Sequence, residues 1–70
     1  MEQYKHRIGE RIHVVVNDMG RMVEYLGVFK GAAKFKGEWK CRVDAGSTVV
    51  IASSVEVIEA FMRNDEEVII

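Results

Sequence analysis

Residues 38–52 leave this chain few options. Trp39, Cys41 and Val43 alternate with Lys40, Arg42 and Asp44. That two-residue period belongs to a strand with one buried and one wet face. Asp44-Ala45-Gly46 comes next, where Asp can open a turn and Gly can take the left-handed position of a three-residue hairpin loop. Thr48, Val49, Val50 and Ile51 are all β-branched and predict the return strand. An antiparallel, strand-rich domain follows.

The chain must hold that sheet together with little help. Seventy residues make one domain, and a chain of this size buries only about 60% of the surface its unfolded form exposes. Cys41 is the only cysteine, so an intramolecular disulfide and a cysteine-based metal site are both excluded. Its place on the apolar side of the alternation makes it a small core residue rather than a reactive thiol. Without such staples, self-association into a homo-oligomer is the expected stabiliser. No stretch approaches the roughly 18 apolar residues of a membrane span, and the first apolar run, Val14 to Val16, is too short for a secretory leader. A cytoplasmic location without membrane contact is expected.

Along the chain, residues 1–7 read as a polar arm and residues 60–70 as an acidic tail. Ile12, Val14 and Val16 share one face of the first strand, and Asn17-Asp18-Met19-Gly20 reads as a loop. Met22 to Lys30 forms the second strand, with apolar residues on both faces: Val23, Tyr25 and Phe29 on one, Met22, Leu26 and Val28 on the other. Gly27 in its middle permits a kink or bulge. Residues 31–37 read as a glycine-bounded loop or ragged strand end.

Two conformations compete after Ala52. As a strand, Val55 and Val57 point inward beyond a tight turn at Ala52-Ser53-Ser54. As a helix, Ser53 is the N-cap and Glu56 the capping-box acid three residues on; Val55, Ile58, Phe61 and Met62 then share a face, Glu59 and Arg63 pair, and Asn64 ends the element. The β-branched Val55, Val57 and Ile58 favour the strand.

No catalytic constellation is visible, and the chain is not expected to be an enzyme or to carry a cofactor. His6 and His13 read as surface residues without metal-ligand spacing. The acids read as a solvated face, and Ser47, Ser53 and Ser54 as turn residues. Charge is unevenly spread: residues 31–42 hold Lys34, Lys36, Lys40 and Arg42 against Glu38, whereas residues 43–70 hold six acids against Arg63. The basic block contains Phe35 and Trp39, and cations beside aromatics suit single-stranded nucleic acid. The competing reading is a core tryptophan beside a solvated basic edge.

The order of the pieces resembles the small Src-homology-3-like barrels of the KOW type. Ile8-Gly9-Glu10-Arg11-Ile12-His13-Val14 is similar to their opening strand, and Leu26-Gly27-Val28 to the glycine within their second strand. Asp44-Ala45-Gly46 is similar to the hairpin between their third and fourth strands. Residues 49–58 are similar to the closing strand, short turn and final strand. The resemblance covers residues 8–59 and implies a five-stranded barrel that binds RNA, DNA or protein through its loops. Strand order also resembles the Sm-like RNA-binding ring, but Ile51-Ala52-Ser53-Ser54 carries no cation where that family has an Ile-Arg-Gly-type turn.

The expectation is therefore an all-β, small five-stranded Src-homology-3-like barrel. The alternative is α+β, a four-stranded antiparallel sheet with a C-terminal helix over 54–63. The expected core is Ile12, Val14, Val16, Leu26, Val28, Trp39, Cys41, Val43, Val50, Val55 and Val57. The expected function is a non-enzymatic binding module that contacts nucleic acid through Lys34, Lys36, Lys40 and Arg42. The alternative is a self-associating structural or accessory domain whose interface uses Val23, Tyr25, Phe29, Val68, Ile69 and Ile70.

Overall fold

The computed structural model describes residues 1–66; Val68, Ile69 and Ile70 lie outside the described residues. A 3-10 helix (Glu2–Arg7) precedes four strands, β1 (Arg11–Asp18), β2 (Arg21–Phe35), β3 (Glu38–Ala45) and β4 (Thr48–Ser53), and a helix, α1 (Ser54–Glu66). The strands form one antiparallel sheet in the order β1-β2-β3-β4. The five-stranded barrel is thus not what forms. The sheet does not close, and the four-stranded sheet with a C-terminal helix takes its place.

The hairpin read from residues 38–52 is present, with a tighter turn than expected. Ala45 pairs with Thr48, leaving a two-residue loop in which Gly46 has φ +64°. Of the two readings of residues 31–37, the strand end forms and the loop does not: β2 continues to Phe35 through a bulge between Phe29 and Gly31. Gly31 beside it has φ +124°, a conformation that glycine adopts without the steric cost a Cβ would bring. Gly27 has another role. A Cβ there would lie 2.5 Å from the Asp44 carbonyl oxygen, so only glycine lets β2 and β3 approach so closely.

The segment after Ala52 is helical because its start is capped and its face is buried. Glu56 Oε1 accepts from the Ser53 N–H at 2.9 Å, and the Glu56 N–H donates to Ser53 Oγ at 3.2 Å. This is the capping box read from the sequence. Val57, Ala60 and Phe61 then enter the core. Burying them outweighs the few tenths of a kcal/mol that each β-branched residue costs a helix. The helix face differs from the expected one: Val55 and Met62 are exposed, and Arg63 donates to the His13 carbonyl at 2.7 Å.

Ile12, Val14, Phe29, Cys41, Val43, Val50, Ala52, Val57, Ala60 and Phe61 form the core. Five expected members are not among these: Val16 only packs against the cluster, Trp39 is half-buried outside it, and Leu26, Val28 and Val55 are turned elsewhere. Leu26 is 63% exposed and Val28 half-buried, because β2 turns Tyr25, Gly27 and Phe29 toward α1, the opposite phase from the one expected. Val55 points away from the sheet. Phe29, expected at an oligomer interface, is a core residue; Val23 and Tyr25 share its face and are half-buried.

The N-terminal segment is held rather than loose. Tyr4 stacks on Phe61 with ring centroids 5.1 Å apart, and Phe29 meets Phe61 edge-on at the same distance. The Arg7 guanidinium lies 4.2 Å above the Phe61 ring. It donates to both carboxylate oxygens of Glu10, at 2.7 and 2.6 Å, and to both of Asp65, at 3.0 and 2.7 Å. These hydrogen bonds hold Glu10 and Asp65 below the ordinary carboxylate range. Residues 60–66, expected as part of an acidic tail, are the last turns of α1.

Candidate nucleic-acid interface

Two of the four basic candidates, Lys40 and Arg42, line a cavity of about 530 Å³. Both stand on the sheet face away from α1, since they alternate with the buried Cys41 and Val43. Neither is a bare charge. Lys40 Nζ lies 3.4 Å from Glu38 Oε2, and Arg42 donates to Asp44 Oδ1 at 2.8 Å. The Arg42 hydrogen bond draws the exposed Asp44 carboxylate below its ordinary range.

The other two lie at the tip of the β2–β3 hairpin. Lys34 pairs with Trp39 across the ladder and so shares the face of that indole. Lys36, in the turn, has φ +50° and places Nζ 5.5 Å from the Phe35 ring centre. Phe35 itself is 64% exposed. The four cations therefore occupy one end of the sheet but not one face.

Trp39 is the main departure. It points to the same side as Cys41 and Val43, as the alternation requires, yet it is only half-buried and stands outside the core cluster. Trp39 is one of the cavity's lining residues, with Phe29, Ala32 and Cys41. Four cations line the same cavity, Lys5, Lys30, Lys40 and Arg42, against the single acid Glu2. Sequence reasoning missed Lys5 and Lys30. Lys5 arrives through the fold of the N-terminal 3-10 helix. The doubled side-chain direction of a bulge could have flagged Lys30, beside Gly31. Burial raises the Cys41 thiol pKa above its ordinary value, which keeps it protonated and unreactive.

A half-buried aromatic ring beside a concave and predominantly cationic surface can stack a planar group and neutralise nearby phosphates. Among the described residues, no cluster of His, Cys, Asp and Glu could hold a metal ion, and no helix is long and apolar enough to cross a membrane. No family model, curated protein or solved structure matches this chain.

Proposed function

We propose that this protein is a non-enzymatic binding module for single-stranded nucleic acid. The observation that carries the reading is Trp39, standing out of the core in a cavity edged by Lys5, Lys30, Lys40 and Arg42. A base stacks on the indole, Lys34 on the same sheet face meets a flanking phosphate, and Lys40 and Arg42 on the other face meet phosphates farther along the strand. Phe35, Lys34 and Lys36 at the hairpin tip extend the track. Single strands suit this geometry better than duplexes, because stacking on an indole requires a base that is already unpaired.

Trp39 is the only tryptophan, so its fluorescence reports the event directly. Mixed-sequence oligonucleotides of DNA and RNA are titrated at several salt concentrations. Quenching is expected, with log affinity falling linearly in log salt by about 0.7 for each phosphate neutralised. Trp39→Ala, followed by a labelled oligonucleotide, is expected to weaken binding about tenfold or more, the effect of one lost stack. Unchanged affinity when Lys34, Lys36, Lys40 and Arg42 are all replaced by Ser overturns the reading.

A further inference from the structure

The sheet has two edges, and the molecule treats them differently. On β1 the outward backbone groups are taken by side chains of α1. Arg63 donates to the His13 carbonyl at 2.7 Å and Asn64 to the Arg11 carbonyl at 3.4 Å, while the Asn17 N–H donates to Glu56 Oε2 at 2.8 Å. The helix runs along this edge, and no strand can add there without displacing it. Among the described residues, no side-chain hydrogen bond reaches the outer backbone of Thr48–Ile51 on β4, and no strand pairs with it. An open groove of about 280 Å³ runs beside those residues, with Val16, Asn17, Asp18 and Tyr25 as its other wall.

Natural sheets protect a free edge with lysine, proline, a bulge or a covering element. The six residues of β4, Thr-Val-Val-Ile-Ala-Ser, carry no charge and no proline, and the ladder to β3 runs without a register shift. The other three strands all carry charged residues. Val49 and Ile51 are 53% and 58% exposed beside this unguarded edge. The features that prevent strand addition are all missing from one strand.

We propose that the β4 edge is a self-association site, where a second copy of this chain adds its own β4 antiparallel across a two-fold axis to make one continuous eight-stranded sheet. A two-fold contact sets a surface against itself, so the strand must tolerate its own sequence. An uncharged, β-branched strand does: no like charges meet across the axis, and β-branched side chains pair well across antiparallel strands. A charged strand such as β3, with Lys40, Arg42 and Asp44 on one face, would fit a copy of itself in few registers. The axis stands perpendicular to the sheet, so both helices lie on one side and Val49 and Ile51 of each copy join on the other. A contact of six residues per copy is at the small end for stable complexes, so dissociation in the micromolar range is expected. This inference is independent of nucleic-acid binding.

The test is sedimentation velocity on the full chain from about 1 to 500 μM, with amide hydrogen exchange measured at both extremes. A monomer–dimer equilibrium is expected, with protection of amides in Thr48–Ser53 rising with concentration. Val49→Lys places like charges near the axis and is expected to weaken dimerisation at least tenfold, with circular dichroism confirming the fold. Met62→Lys, on the exposed side of α1, is expected to leave it unchanged. A monomer throughout, a dimer lost through Met62→Lys, or a dimer without new protection in β4 overturns the proposal. The exchange measurement needs no variant and decides the matter even if Val49→Lys fails to fold.

Discussion

Arg7 over Phe61 and Lys36 beside Phe35 are the two cation–aromatic pairs among the described residues, and they do opposite work. Arg7 is 13% exposed at its side chain, and its guanidinium is fully engaged by Glu10 and Asp65. Its aromatic partner is a core residue packed by Tyr4 and Phe29. Among the described residues Lys36 pairs with no carboxylate, and Phe35 is mostly in solvent. The same pair of residue types thus builds the fold in one place and leaves a surface open in the other. Residue type does not separate structure from site; the number of partners already engaged does.

The largest break in this comparison is Phe61→Ala. It removes the ring on which Tyr4, Phe29 and Arg7 all pack, and a cost of about 4 kcal/mol is expected in denaturant unfolding. For a domain this small the variant is expected to be largely unfolded near 37 °C. Arg7→Ala is expected to cost about 2 kcal/mol, because Glu10 and Asp65 lose their common donor. Arg7→Lys should recover only part of it, since an ammonium cannot bridge two carboxylates in one plane. Equal stability of Arg7→Lys and the native chain would show that the fork geometry is unimportant.

Acid should act on the closed region and spare the open one. Glu10 is held below its ordinary value of 4.5 by Arg7. Burial pushes Glu56 up, but hydrogen bonds from the Ser53 and Asn17 backbone outweigh it and leave the carboxylate below 4.5 as well. Both folded values lie below the unfolded ones. The stability these groups contribute is therefore present above about pH 4.5 and lost as pH falls through the folded values. Unfolding free energy is expected to decline below that pH, and Glu10→Gln and Glu56→Gln should each flatten the decline. The smallest effect on stability belongs to Phe35→Ala, expected within about 0.5 kcal/mol of the native chain. That variant sharpens the contrast, because oligonucleotide affinity should fall several-fold while the melting temperature stays in place.

Much of the local structure was legible. The alternation of Trp39 to Asp44 and the β-branched run after Gly46 are short-range patterns, and β3 and β4 follow from them directly. Ser53 with Glu56 offered the helix only as the alternative, because Val55, Val57 and Ile58 tipped the reading toward a strand. Capping is a local hydrogen-bond pattern, whereas the weight of the apolar face depended on whether a core stood ready to receive Val57, Ala60 and Phe61. The face of β2 was not legible, because apolar residues occupy both sides and a one-residue change of phase exchanges them. For the site, the hairpin-tip lysines were visible as a charge block. Lys5 and Lys30 were not, since they reach the cavity only through the 3-10 helix and the bulge.

Sequence alone determined the β3–β4 hairpin and the absence of an intramolecular disulfide, and it offered the Ser53–Glu56 cap as one of two readings, because those depend on neighbours within a few residues. The tertiary structure decided which side of β2 meets the core, whether the sheet closes, and that Trp39 stays half outside. It also brought Arg7 to Asp65, 58 positions away along the chain. Such outcomes depend on which surfaces compete for one small core, and a competition among distant segments leaves no mark on local spacing.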